Sequence, residues 1–334
     1  MTVGEAGEKE VLARVLGQLS HADAAAVGPG DDCAVMRLAG DLVVTSDMMI
    51  EGPDFRLAWH TGFELGHKLA ATNLSDVAAM GARPVGLTVS LACPRDTKVV
   101  LLEEIARGLD AACRTLAPGC GVVGGDLSTA PVLTAAVTAL GDLEGRPAVL
   151  RSGAKVGDVV AYAGQLGLAG LGLSLLFAEA ADDAGIAQAH AVAGLRASHP
   201  EALAAQLTPD PPIVAGPRAA RAGATAMMDV SDGLSLDAAR LAAASDGTLA
   251  FDSVALTAAF GVQGGQAVSV AAMLTGGEDH GLLATFDRAA ALPEPFTAIG
   301  EVRQRGGGGA AVLLDGVPYE PRGWDPYRVL PPGA

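Results

Sequence analysis

The chain has 334 residues, enough for about two domains at roughly 150 residues each. Half of it is hydrophobic and 18% is charged, which excludes charge-driven disorder and leaves ample material for a core. Lys and Arg number 22 against 38 Asp and Glu, a formal charge of −16. No nucleic-acid or membrane partner is expected from such a balance, because both polyanions ask for a basic patch.

In chain order, a helix is predicted from about Glu5 to Leu19, then a Gly-Pro-Gly turn at 28–30, a short strand near Cys33–Met36 and a strand at Leu42–Ser46. A long helical region from about Trp59 to Met80 stops at Gly81 and Pro84, ordinary punctuation for a helix C-terminus. A strand at Val85–Ala92, a helix at about Thr97–Leu116 and strands around Val122–Val123 and Val132–Leu140 complete the first half. The turn-rich run Arg151–Asp158 marks a boundary, dividing 1–150 from 151–334. The second half opens on a strand at Val159–Ala163 and continues with helices near 168–180, 201–207 and 213–222. A strand at Thr225–Met228, a helix at Ser235–Ala244 and strands near 248–252, 281–285 and 311–314 follow, and the glycines at 306–309 read as a surface turn. Helices and strands interleave, which indicates an α/β (α+β) fold.

No charge occurs from Val159 to Ala178, long enough for a bilayer span of about 20 residues. Gly164, Gly167, Gly170, Gly172 and Gln165 interrupt it, so it reads as strand, turn and helix. The uncharged run Ser253–Gly277 is diluted by Gln, Gly, Ser and Thr, and no membrane partner is expected. Cys33, Cys93, Cys113 and Cys120 form no C-x-x-C pair, which suggests neither a zinc knuckle nor a disulfide framework. The N-terminal residues lack the basic and apolar regions of a secretory signal, so reduced thiols and a cytoplasmic location are expected.

Acids set among small or apolar residues stand out: Asp31-Asp32 after Gly28-Pro29-Gly30, Asp47 after Val43-Val44-Thr45-Ser46, Asp76 in Asn73-Leu74-Ser75-Asp76, Asp126 after Gly124-Gly125, and Asp229 with Asp232 in Asp229-Val230-Ser231-Asp232-Gly233. Bare carboxylates in poorly solvated places are costly unless cations compensate, and aspartates with nearby hydroxyls suit hard ions such as magnesium. Each acid alone has a plainer reading: Asp31, Asp126 and Asp232 as turn residues beside glycine, Asn73 and Asp76 as an exposed helix stripe, Thr45 and Asp47 as one side of an edge strand. Their recurrence in a chain of low charge density favours a shared site. Gly28–Gly30, Gly124-Gly125 and Gly276-Gly277 offer backbone amides to phosphate, while neither a P-loop nor a Rossmann fingerprint is present.

Together these motifs, with Thr-Ser-Asp-Met-Met-Ile-Glu-Gly (45–52), Arg-Ser-Gly-Ala-Lys-Val-Gly-Asp (151–158) and Gly-Gly-Glu-Asp (276–279), resemble the thiamine-monophosphate kinase family in order across nearly the whole chain. The resemblance implies the two-domain fold of aminoimidazole ribotide synthetase, N-terminal domains paired in a homodimer, and ATP near the dimer interface. It implies phosphorylation of thiamine monophosphate by ATP with several magnesium ions, a potassium requirement being left open. By position, Asp32, Thr45, Ser46, Asp47, Asp76, Asp126, Asp229 and Asp232 would be metal ligands, with Asp47, Asp76 and Asp126 central to catalysis. Gly125, Asp126, Arg151 and Ser231 would meet ATP, and Glu278 and Trp324 the thiamine moiety.

Asp54 stands where the family usually has His, placing an anion beside the expected acceptor phosphate, and His280-Gly281 replaces a usual Tyr-Glu. Trp324-Asp325-Pro326-Tyr327 stands for a usual aromatic-Asp-His-Phe close. A sister ATP-dependent synthetase acting on another small phosphate or amide, or a nucleotide-binding module without turnover, are the alternative readings.

Overall fold

The computed structural model of the chain describes residues 1–30, 32–306 and 309–324. Asp31, two of the glycines at 306–309 and Asp325–Tyr327 therefore lie outside the described residues. The predicted N-terminal helix is two, α1 (Val3–Ala6) and α2 (Glu8–Leu16), interrupted at Gly7. The short strands β1 (Ala25–Val27) and β2 (Val35–Met36) pair antiparallel, and β3 (Leu42–Ile50) runs on beyond the predicted strand.

Helix α3 (Gly62–Ala79) opens on a capping box, in which Thr61 Oγ1 accepts from the Glu64 amide and the Glu64 carboxylate accepts from the Thr61 amide. It is followed by β4 (Arg83–Cys93), α4 (Val99–Leu116), β5 (Val122–Thr129) and β6 (Thr134–Asp142). These strands form a sheet in the order β3-β6-β4-β5, parallel only between β4 and β5. One face is covered by α3, with α4 packed on it backbone to backbone: a Cβ at Gly66 would lie 2.0 Å from the Ile105 carbonyl oxygen. On the opposite face β1 and β2 cover the part around Gly86 and Leu140, and the remainder is bare, with Leu42, Val44 and Met48 exposed by 51%, 56% and 58%.

The second sheet comprises β7 (Val159–Ala163), β8 (Ala226–Val230), β9 (Gly247–Phe251), β12 (Gly281–Phe286), β13 (Thr297–Gln304), β14 (Val312–Leu314) and β15 (Val317–Pro318), in the order β15-β14-β9-β13-β7-β12-β8. Around it lie α5 (Leu168–Glu179), α6 (Ala189–Ser198), α7 (Pro200–Leu207), α8 (Ala215–Arg221), α9 (Leu234–Ala244), α10 (Ser253–Phe260), α11 (Val270–Thr275) and a small hairpin, β10 (Val262–Gln263) with β11 (Gln266–Ala267). Among the described residues β1, α6, α10, β10, β11, α11, β13 and β15 were not predicted. β13 lacks clean alternation because its pairing with β7 is irregular between Ala298 and Gly300, yet ladders to β7 and β9 hold it on both sides. α6 is rich in Ala and adds Val192, Leu195 and, in part, Ala191 to the cluster of Trp59 and Leu176, and α10 starts on an Asp252 cap at the head of an uncharged run.

Val159–Ala178 is strand, turn and helix as predicted, and no helix among the described residues is long and apolar enough to cross a membrane. One buried cluster joins α3, α4 and the first sheet to Ala161, Ile213, Met227 and Phe286 from the second half. α3 is thus a wall shared by both sheets, which explains why nearly all its faces are buried, including Lys68, Asn73 and Ser75.

Candidate active site

Thr45 and Asp47, alternate residues on β3, both reach α3. Thr45 Oγ1 donates to Asp76 Oδ2 at 3.0 Å, and the Asp47 amide donates to Asn73 Oδ1 at 3.1 Å. From the far side of α3, Ser75 Oγ donates to Asp229 Oδ2 on β8 at 3.2 Å. Carboxylates from β3, α3 and β8 therefore share one region. Burial, then Asp229 and Asp47, push the Asp76 pKa up to about 7. Asp47 is open to solvent on one side, yet the surrounding protein and the Asp229 charge push its pKa up as well.

His280 is buried against this group with Nδ1 3.5 Å from Asp229 Oδ2, too far for a hydrogen bond. Burial opposes its protonated form, but Asp229 carries its pKa upward. After β8, Asp237 shapes the Ser231–Gly233 loop: its Oδ2 accepts from the Ser231 and Asp232 amides at 3.1 and 2.9 Å. Arg240 bridges Asp232 and Asp237 at 2.6 Å each. Trp324 arrives at the same loop, its amide donating to the Asp232 carbonyl at 2.9 Å.

The Gly276–Gly281 loop closes the other side. Glu278 forms an ion pair with Lys68, and although burial alone would raise its pKa, the Lys68 charge holds it below the usual range. Asp279 accepts from the amides of Gly167 and Ala169 and so caps α5. Asn73, Ser75, Lys68, Gln206, Asp237 and His280 escape sequence reasoning about roles; a polar residue inside an otherwise apolar helix is the signal that marks the first three.

Several expected residues lie elsewhere. Ser46 turns to the bare face, donating to the Val137 carbonyl at 3.0 Å and accepting from Thr138 at 3.2 Å. Asp126 lies in β5 rather than in a turn, and pairing through Ser90 and Ala136 puts it on the same face as Met48. With Asp32, Gly30, Gly124 and Gly125 it lines a cavity of about 360 Å³ floored by apolar residues of α2, α4 and β4. Gly125 cannot be larger, since a Cβ would meet the Val89 carbonyl oxygen at 2.1 Å. Arg151 is exposed and makes no ion pair among the described residues. Asp54 turns its carboxylate back on its own loop, accepting from the Ile50 amide at 2.8 Å.

Residues 30–143 match the family model described as AIR synthase related protein, N-terminal domain. The thiamine-monophosphate kinase of Mycobacterium tuberculosis (strain CDC 1551 / Oshkosh) is 37% identical, covering 94% of this chain and 90% of its own. This chain belongs to the thiamine-monophosphate kinase family. The Corynebacterium glutamicum member is 36% identical over 90% of this chain and 87% of its own. Among solved structures, the family member from Stenotrophomonas maltophilia superposes with a TM-score of 0.71 at 29% identity, covering 93% of this chain and 96% of its own. AaThiL complexed with AMPPCP and TMP gives a TM-score of 0.70 at 29% identity over 97% and 98%. The hydrogenase maturation protein HypE, at 18% identity and a TM-score of 0.61 over 90% and 92%, shares the fold.

Proposed function

We propose that this kinase-family chain transfers the γ-phosphoryl group of ATP to thiamine monophosphate, giving thiamine diphosphate and ADP by direct in-line transfer. The observation that carries the reading is the convergence of Asp47, Asp76 and Asp229 from β3, α3 and β8, where their mutual repulsion asks for a cation. It is supported by the relative solved with AMPPCP, an ATP analogue whose terminal bridge is carbon, and TMP.

Magnesium fits the donor chemistry, which is carboxylate and hydroxyl oxygen. Among the described residues no three Asp, Glu, His or Cys side chains converge closely enough to hold a metal ion by themselves. Asp47, Asp76 and Asp229 with Thr45 would therefore supply part of a shell, the remainder being water and phosphate oxygens. When bound, the ions neutralise phosphate oxygens that otherwise repel. The acceptor phosphate, with a second pKa near 6, is mostly a dianion at neutral pH, so the chain's residues need only orient it and exclude competing water. Asp32, Gly125 and Asp126 around the β5 cavity are assigned to the nucleotide, with Arg151 and Ser231 as further contacts. Glu278 and Trp324 are assigned to the acceptor's organic part. Asp54 is assigned to its turn and not to the phosphate.

We further propose units 1–150 and 151–334, and a cytoplasmic homodimer formed through the bare face of the first sheet, which carries Leu42, Val44, Met48 and Asp126. No site is assigned to potassium. Incubation with ATP and thiamine monophosphate, followed by chromatography, tests the reading: thiamine diphosphate and ADP are expected in equal amounts, with loss of both when magnesium is chelated. Equal ADP without the diphosphate would overturn it.

A further inference from the structure

Lys68 sits in the middle of α3 with no exposed surface, and a buried ammonium is tolerated only when paired. Its Nζ is held by Glu278 Oε2 and donates to the Gln206 carbonyl at 3.1 Å. Gln206 Nε2 donates to the same Oε2 at 3.1 Å, so α3, α7 and the Gly276–Gly281 loop meet on one carboxylate oxygen. The second oxygen, Oε1, takes no hydrogen bond from the described residues, and the Glu278 side chain is 33% exposed.

The main chain is committed to this pose. Glu278 and His280 both adopt left-handed backbone, with φ of 72° and 52°, which non-glycine residues rarely do. The Glu278 amide donates to the Ser231 carbonyl at 2.8 Å, and Asp279 between them is tied to α5. Strain of this kind persists where the surrounding structure enforces it, commonly at functional sites.

We infer that Lys68 is a positioning residue: with Gln206 it holds Glu278 Oε2 so that Oε1 presents a free hydrogen-bond acceptor to the exocyclic amino group of the acceptor's pyrimidine. This deepens the thiamine monophosphate reading and rests on it. Lys68 and Glu278 are neutral as a pair, so they offer a directed acceptor rather than the net negative charge a thiazolium would seek. A site built around a particular N–H rejects an analogue lacking it, because the buried acceptor is left unpaired.

The test compares wild type, Lys68→Met, Glu278→Gln and the double variant on thiamine monophosphate and on oxythiamine monophosphate, in which a carbonyl oxygen replaces the amino group. Calorimetric binding and steady-state kinetics are both read. Wild type should favour the amino compound by roughly 100-fold or more in kcat/KM. Each single variant should raise KM for thiamine monophosphate about tenfold or more, leave KM for ATP within about twofold, and erase most of the discrimination. Removing both charges should recover melting temperature lost in Lys68→Met without recovering KM. Discrimination intact in Lys68→Met, or KM restored in the double variant, overturns the assignment alone. A wild type that neither binds nor converts thiamine monophosphate overturns the reaction and the assignment together. Should Lys68→Met not fold, Gln206→Leu, which keeps the ion pair and removes the second donor, must show the same loss of discrimination in smaller measure.

Discussion

Asp76 and Asp126 carry the same sequence signal, an acid among small residues, yet the fold treats them oppositely. Asp76 lies on α3 between two sheets, takes a hydrogen bond from Thr45 and feels Asp47 and Asp229 across the same space. Asp126 lies on an edge strand, on the face that also exposes Met48 and Val44. One group is assembled by three elements of a single chain; the other opens outward and lines the β5 cavity beside Asp32. A carboxylate's neighbours, not its flanking sequence, decide whether it forms a centre by itself.

The sharpest way to break this contrast is Asp76→Asn or Asp47→Asn, either of which should lower turnover by about 1000-fold or more while circular dichroism stays native. Near-normal rates in either variant would remove the acidic centre from the mechanism. A smaller effect is expected from Val44→Glu on the bare face. Light scattering should show monomers, and KM for ATP should rise several-fold, on the order of 1 kcal/mol in binding, while kcat at saturating ATP changes less. A variant that stays dimeric moves the interface elsewhere.

The Asp76 titration gives a subtler test. Its folded pKa of about 7 lies above the unfolded carboxylate value, so the folded state holds the extra proton between about pH 4 and 7. Stability of the metal-free protein should therefore fall as the pH rises through that window, and Asp76→Asn, neutral throughout, should flatten the decline. Urea midpoints in chelator that give wild type and variant the same slope would count against the crowded-acid picture. The least effect is expected from Asp54→Ala. Losing one carboxylate-to-amide bond should cost about 1 kcal/mol of stability and leave KM for thiamine monophosphate unchanged. A raised KM would return Asp54 to the acceptor site.

The pattern Thr45-x-Asp47 was readable as one side of a strand and Asn73-x-x-Asp76 as one side of a helix, and both pairs do face each other. Helix α3 was readable at its end from Gly81 and Pro84, whereas its start, expected near Trp59, is set by the Thr61–Glu64 capping box. The plainer alternative for Asp126, a turn residue beside its glycines, does not hold: it lies in β5, and Gly125 serves close approach to Val89 within the ladder. Lys68 and Glu278 stand far apart in sequence, and no local pattern announces that they meet.

Periodicity and punctuation, being local, were settled by the residues themselves: the longer helices and strands, the stop after α3 and the reading of Val159–Ala178 as strand and helix. The family likewise is written in the order of short motifs. Which acids share a space, which way Ser46 and Asp54 turn, and that a buried lysine holds Glu278 depend on contacts between distant segments. Those contacts exist only once α3 is enclosed by both sheets, because burial and nearby charge, not sequence spacing, fix what each polar group must bind.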